Sequence, residues 1–474
     1  MSRETTINVE GGYRHVLRLA GPLIVSTSSF SIMHFVDRMF VAWYSQDALA
    51  ASAPAGAASF IPAAFFIGTA GYVTTFVAQY SGAHRNHRIG PAVWQGIYLG
   101  LAAMVLMWIL YPLAGPIMNI GGHDLPIRVL EIKYFRILVL GAGFVVLNAA
   151  LNGFYTGRGK MYTVMAVSFV TNIANITLNY CWIFGKFGFP AWGLVGAGWA
   201  TVLSQGLGVG VMFVLFFSPA NRRQFATTTQ IRLDKDLFKR LLRYGVPNGL
   251  HFCTEVSAFT VFLFIVGWKG PTALATTNAI FSINHLAFMP MIGFGIATTT
   301  LVGQFLGRKR PDLAQRSTSA ALRMVTLYMC LIAAVFLLFP EQLLGLFTSR
   351  QGSTDSSGMI ELGRILLIFV ALYSLVDGVA IVYAAALKGA GDTLFILLMT
   401  FIMSWTIMVL PVYIGIKYFG CGVRMAFGCV MVYVAAAAGG FYLRYRGGKW
   451  KHMRVIETVE TTPLSIAEGP LVDT

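Results

Sequence analysis

The chain has 474 residues, 56% of them hydrophobic and only 11% charged, with a formal net charge of +16. Soluble globular domains carry about 25% charged residues, so this composition excludes a soluble protein and fits a chain that crosses a membrane repeatedly. The positive balance does not mark a nucleic-acid binder. The Lys and Arg residues sit in short loops between apolar runs, which is the positive-inside pattern, and not on one patch.

In chain order, twelve apolar runs are long enough to cross a bilayer, each needing about 20 helical residues. They cover 17–44, 52–80, 92–118, 133–156, 161–185, 193–218, 238–267, 274–305, 316–339, 360–387, 393–417 and 422–445. The predicted fold class is an all-α polytopic membrane protein of about twelve transmembrane helices in two six-helix lobes. Residues 1–16 read as a polar N-terminus with no cleavable signal peptide. Residues 17–218 make an N-lobe, 219–237 a linker holding Arg222, Arg223, Arg232 and Lys235, and 238–445 a C-lobe. Residues 446–474 form a polar tail that is expected to fray. Cys181, Cys253, Cys330, Cys421 and Cys429 lie in or beside apolar runs without metal-ligand or disulfide spacing, and read as small buried hydrophobes.

Orientation follows from charge. Arg85, Arg88, Arg158, Lys160, the linker cluster, Arg308, Lys309, Arg310 and Lys388 fall on one side with both termini. The other side has few, chiefly Arg128, Lys133, Lys186, Lys269, Arg350 and Lys417. The first side is expected to be cytoplasmic, in a multi-pass protein of the inner (plasma) membrane.

The two lobes are related by an internal repeat. A shift of 225 residues brings Pro22 onto Pro247, Trp43 onto Trp268, Ala48-Leu49-Ala50 onto Ala273-Leu274-Ala275, Thr74-Thr75 onto Thr299-Thr300, Gln79 onto Gln304 and Gly82 onto Gly307. Further on the shift becomes 232, and Gly157-Arg158-Gly159 meets Gly389-Ala390-Gly391. Six spans per repeat is an even number, so the halves run the same way and enclose a pseudo-two-fold axis along the membrane normal, a body suited to alternating access.

Three carboxylates interrupt the apolar runs: Asp37, Glu255 and Asp377. Such a charge costs about 2.5 to 3.5 kcal/mol at a helix centre, so each is a candidate functional group unless merely paired or protonated. Glu255 and Asp377 are expected at similar depth in the C-lobe. By the repeat, Glu255 matches Phe30 and Asp37 matches Phe262, which puts Asp37 about 10 Å nearer the far face. Tyr373 lies one helical turn before Asp377; its ring either helps hold an organic cation or is an ordinary core tyrosine. Asn172, Asn175 and Asn179 share a face, as do Asn148 and Asn152; such amides either bridge helices or line a polar cavity, and the cavity is the expectation carried forward. Pro54, Pro62, Pro247 and Pro290 read as kinks or hinges, and no histidine is assigned a role.

These residues resemble the MATE (multidrug and toxic compound extrusion) transporters. The resemblance rests on Phe35-Val36-Asp37, Val77-Ala78-Gln79 with Gly82-Ala83 and Arg85, Val302-Gly303-Gln304 with Gly307, and Leu387-Lys388-Gly389-Ala390-Gly391-Asp392-Thr393. It covers about residues 15–445. Glu255 with Phe259, and Asp377, resemble the bacterial NorM-like branch. The resemblance implies an antiporter, not an enzyme, that exports lipophilic organic cations and has no cofactor beyond its coupling cation, H+ or Na+. It implies Glu255, Asp377 and Asp37 as coupling or substrate residues, with Asn175 and Asn179 as companions of Asp37. Na+, if it is the ion, is expected at Glu255 and Asp377, and Tyr373 is carried as a substrate contact. The expected partners are small organic cations and membrane lipid, the expected state is a monomer, and no nucleic acid is involved. The alternative within the superfamily, a flippase for lipid-linked precursors, calls for a cationic cavity, whereas the intramembrane charge here is mainly acidic. A membrane enzyme calls for a clustered His/Asp or Ser/His site that the sequence does not show, and a scaffold does not explain acids at mid-membrane.

Overall fold

The computed structural model describes residues 10–348 and 356–457. Arg350, counted above among the far-side charges, lies outside them. The N-lobe contains α1 (Tyr13–Tyr44), α2 (Gln46–Gly71), α3 (Val73–Gly82), α4 (Ile89–Trp108), α5 (Ala114–Asn119), α6 (Leu125–Gly157), α7 (Met161–Phe184) and α8 (Leu194–Phe216). After α9 (Pro219–Phe225) the C-lobe contains α10 (Lys235–Gly267), α11 (Pro271–Gly307), α12 (Pro311–Leu338), α13 (Pro340–Thr348), α14 (Ser356–Ala390), α15 (Thr393–Met403), α16 (Leu410–Lys417) and α17 (Val423–Arg446). Among the described residues these give 12 candidate membrane spans, with α2–α3 and α15–α16 each forming one.

Local chemistry sets the element ends. The Ser45 hydroxyl accepts from the Ala48 N–H and the Asp234 carboxylate from the Leu237 N–H, capping α2 and α10. Pro opens α6, α11 and α12, where its missing N–H costs nothing. Several boundaries differ from the sequence windows. The third run gives one span that ends earlier than its window: α4 stops at Trp108, and a turn through Pro112 separates it from α5. The second run breaks at Tyr72, although Pro54 and Pro62 stay inside α2. The eleventh run passes through a π-helical turn, Ser404–Val409, between α15 and α16. Such turns relieve a local misfit in the i→i−4 ladder.

Twelve alternating spans place both described ends of the chain at one end of the bundle, here called the basic end. There the lobes close on each other with pseudo-two-fold symmetry. Gln79 Nε2 donates to the Gly389 carbonyl at 3.0 Å, and Gln304 Nε2 donates to the Gly157 carbonyl at 2.8 Å. The repeat superimposes Gln79 on Gln304 and Gly157 on Gly389, so the two bonds are copies of one contact. Glycine makes the approach feasible: a Cβ on Gly82 would stand 2.0 Å from the Gln304 carbonyl oxygen, and one on Gly307 would stand 2.2 Å from that of Gln79. Contacts continue to mid-bundle, where Asn248 Nδ2 donates to the Gly68 carbonyl at 2.7 Å and the Thr27 hydroxyl to the Met289 carbonyl at 3.1 Å. Phe60 meets Phe252 edge-on at 6.0 Å. Beyond that level Glu255, Phe259 and Phe30 are exposed.

The tail does not fray where the sequence suggested. Residues 447–457 are ordered against the basic end. Trp450 is fully buried and stacks on Tyr445 at 4.8 Å. Val455 and Ile456 are buried in the cluster that holds Tyr72, Phe76 and Leu241. Each such fully buried side chain contributes about 1.5 to 3 kcal/mol, which local polarity along the tail does not reveal.

Candidate functional site

The N-lobe acid, Asp37, lies on α1 facing α7. Asn179 Nδ2 donates to its Oδ1 at 2.5 Å. With the Asn175 amide turned so that its nitrogen faces the carboxylate, Asn175 donates to both oxygens, at 2.8 and 3.2 Å, while its own oxygen accepts from the Ser204 hydroxyl. An ionised carboxylate can only accept, so this orientation satisfies it. Asn175 and Asn179 are fully buried. They wrap Asp37 and do not line an open cavity as expected. Asn172 turns to Ser29 on α1 at 2.8 Å. Asn148 and Asn152 do something else: Asn148 donates to Gln205 at 3.2 Å, bridging α6 to α8, and Asn152 donates to Asn148. Arg38 forms no ion pair with Asp37, as expected of adjacent helical positions about 100° apart.

The C-lobe acids come from two helices. Glu255 on α10 and Asp377 on α14 lie within electrostatic reach of each other, and Tyr433 on α17 lies within reach of both. The Glu255 side chain is 47% exposed. Behind it stands a chain of groups not evident from the sequence. His251 Nε2 is 3.6 Å from Glu255 Oε1, and Lys388 Nζ is 3.4 Å from His251 Nδ1. An ammonium has no lone pair, so a charged Lys388 makes Nδ1 the acceptor and leaves the Nε2 hydrogen aimed at Glu255. Lys388, counted from sequence as a loop charge, is in the last turn of α14. The signal available was the i,i+4 spacing of His251 and Glu255, which puts them on one helix face.

Tyr373 is buried. Its hydroxyl accepts from Asn284 Nδ2 at 3.2 Å, and Ser374 donates to Asn284 Oδ1 at 3.5 Å. Asn284 thus ties α11 to the face of α14 that carries Tyr373. Phe259, one turn from Glu255, is exposed and edge-on to Phe281 at 4.6 Å; on α1 of the other lobe Phe30 is exposed and edge-on to His34 at 4.3 Å.

Residues 22–181 and 247–414 match the model of the MatE family. The chain belongs to the MatE family. The two matched segments begin at Pro22 and Pro247, the pair that the internal repeat superimposes. This MATE protein is 26% identical to the probable multidrug resistance protein NorM of Thermotoga maritima over 449 residues, 94% of each chain. It is 28% identical to the multidrug resistance protein NorM of Aliivibrio fischeri over 397 residues, 83% of this chain and 84% of that one. Its fold superimposes on the outward-facing structure of a multidrug resistance MATE family transporter of the MOP superfamily with a TM-score of 0.84 at 21% identity, covering 93% of this chain and 97% of the other. It is therefore a membrane transporter and not an enzyme. Of the residues singled out from sequence, the structure joins Asp37, Asn175 and Asn179 by hydrogen bonds and sets Glu255 and Asp377 within electrostatic reach of each other. Tyr373 is held by Asn284 one helical turn before Asp377.

Proposed function

We propose that this protein exports lipophilic organic cations by cation-coupled antiport. Substrate and the coupling ion, H+ or Na+, compete for the negative charge of the Glu255–Asp377 site. Asp37, with its two amides, is a second coupling site. The observation that carries the reading is the half-exposed Glu255, within electrostatic reach of Asp377, beyond a seam whose contacts run from the basic end to mid-bundle. A carboxylate open to the space between the lobes, with Phe259 one turn away, suits a flat apolar cation. The lobes rock about their mid-bundle contacts and expose that site to each side in turn, and each entering charge contributes about 2.3 kcal/mol per 100 mV. The basic end with both termini faces the cytoplasm of the inner membrane, and the unit of transport is a monomer surrounded by lipid. The test is ethidium efflux from proteoliposomes under separately imposed Na+ and H+ gradients, for wild type and Asp377→Asn. Efflux driven by one gradient and lost in Asp377→Asn supports the reading. Full efflux and full coupling in the variant contradict the C-lobe assignment. Efflux of an anionic lipid-linked phosphate in place of ethidium would favour the flippase alternative, which the acidic site argues against.

A further inference from the structure

The segment after α17 is fixed to both lobes. Its first anchor is Trp450, buried in the cluster that contains Ala437 and Phe441 of the C-lobe, with Trp450 Nε1 donating to the Tyr445 carbonyl at 2.8 Å. Its second anchor is Val455 and Ile456, buried in the cluster of Tyr72, Phe76 and Ile89 of the N-lobe. Glu457 then enters a socket. Tyr80 donates its hydroxyl to the carboxylate at 2.6 Å, Arg240 donates to the same oxygen at 2.6 Å, and Arg88 donates to the other at 3.1 Å. Arg85 donates to the Glu457 carbonyl at 3.0 Å. Tyr80, Arg85 and Arg88 belong to the N-lobe, and Arg240 to α10.

The segment also shares a side chain with the seam. Gln79 Oε1 accepts from the Val455 N–H at 2.9 Å, while the same amide's nitrogen donates to Gly389. Gln79 is fully buried, so losing either partner leaves an unsatisfied amide group. The tether between the anchors is short. The stretch from Trp450 to Val455 reaches at most about 17 Å when fully extended, so it cannot follow a wide parting of the lobes. The ion pairs of the socket lie at its rim, with side chains 21–35% exposed. Pairs of that kind exchange readily with water, so the anchor that yields is the Glu457 end.

We propose that residues 447–457 are a releasable clasp: docked, they hold the basic end shut, and they leave the Glu457 socket before the lobes part there. The inference rests on the alternating-access reading above. The clasp makes the far-end-open state the resting state of the isolated protein. A binder that takes the socket from Glu457, or a modification that cancels its charge, would free the opposite state.

The test uses the full chain in nanodiscs, with spin labels on Phe187→Cys and Phe419→Cys at the far-end loops of the two lobes, after replacement of the native cysteines. Glu457→Arg sets a fourth cation among three arginines and should shift the label distances toward the short, far-end-closed population. Glu457→Gln should shift them less. A second variant carries Arg85→Cys with Glu457→Cys, joined by a reducible bis-thiosulfonate crosslinker of about the length of the arginine side chain it replaces. Crosslinking should stop ethidium efflux and reductant should restore it, while the uncrosslinked protein transports. Wild-type distances in Glu457→Arg, or unimpaired efflux with the crosslink closed, overturn the clasp. If the wild type itself shows one distance under every gradient and with ethidium bound, the alternating-access reading fails; if it alternates and Glu457→Arg does not shift it, only the clasp fails.

Discussion

Gln79 and Gln304 make one contact twice, each side chain crossing the lobe boundary to a glycine carbonyl of the other repeat, Gly389 and Gly157. The two are unequal in one respect: Gln79 also accepts from the Val455 N–H. Gln79→Leu therefore strands a buried carbonyl and a buried N–H, each costing about 1 to 3 kcal/mol, whereas Gln304→Leu strands a carbonyl alone. Both losses fall on the state closed at the basic end. Gln79→Leu is expected to move the distribution toward far-end closure by about tenfold or more, and Gln304→Leu by less. Distances between labels at positions 187 and 419 read both.

Gly82 and Gly307 allow that contact. The methyl of an alanine would meet backbone oxygen at 2.0 and 2.2 Å, where no side chain can give way. Gly82→Ala and Gly307→Ala are expected to prevent closure at the basic end and to abolish efflux. Gly21→Ala on α1, where the methyl meets nothing within 4 Å, is the control and should transport normally.

The Lys388–His251–Glu255 chain sets an internal cation behind the C-lobe acids. Lys388→Met removes it, so the site should hold a bound organic cation more tightly, by about 1 kcal/mol or roughly fivefold. Lys388→Arg keeps the charge and should leave affinity near wild type. Ethidium fluorescence titration of the purified protein distinguishes them; equal affinity in Lys388→Met and Lys388→Arg would show that the charge does not reach the site.

The span count, the two lobes and their repeat were legible in the sequence, because bilayer length and a constant offset of 225 leave plain traces at Pro22 and Pro247 or Gln79 and Gln304. The grouping of Asp37 with Asn175 and Asn179 came from the resemblance to the MATE transporters; the i,i+4 spacing by itself shows only that the two amides share a helix face. What those amides do was not legible, since facing a cavity and wrapping a carboxylate give the same spacing. Asn148 and Asn152 had the same signature, yet Asn148 bridges α6 to α8 and Asn152 bonds to Asn148 along α6. The ordered tail was hidden because Glu457 and Val455 find their partners across the fold, in Arg240, Tyr80 and Gln79. Lys388 passes for a loop charge in the sequence because a lysine at the end of a span looks like one until His251 is seen beside it.

The Asp37 site separates folding from coupling. Asp37→Asn keeps the shape of the site and removes the charge, so the protein should keep its thermal stability while losing gradient-driven efflux. Asn179→Leu removes a hydrogen bond to the Asp37 carboxyl inside the bundle, a loss of about 1 to 3 kcal/mol. It should lower the midpoint of thermal unfolding in detergent. Retention of coupled efflux in Asp37→Asn would confine coupling to the C-lobe.

The Glu457 socket predicts a pH response with a definite sign. Burial alone would raise this carboxyl, but hydrogen bonds from Tyr80 and Arg240, with the Arg240 charge, outweigh it and hold the group at about 2. Arg85 and Arg88 also face it, and Arg88 pairs in addition with Asp234 at 3.2 Å. A carboxyl lowered on docking contributes fully above its ordinary value, about 4.3, and loses that contribution as pH falls toward the docked value. Between pH 5 and pH 8 the docking of residues 447–457 should therefore not respond to pH through Glu457. Below about pH 4 it should loosen, and limited proteolysis after Arg446, scored at pH 7 and at pH 3.5 with an acid-tolerant protease, should show faster cleavage at the lower pH. Glu457→Gln has no carboxyl to titrate, so its tail should be cleaved faster than wild type at pH 7 and at a rate that changes less between the two. An equal acid response in Glu457→Gln would assign the loosening to other groups.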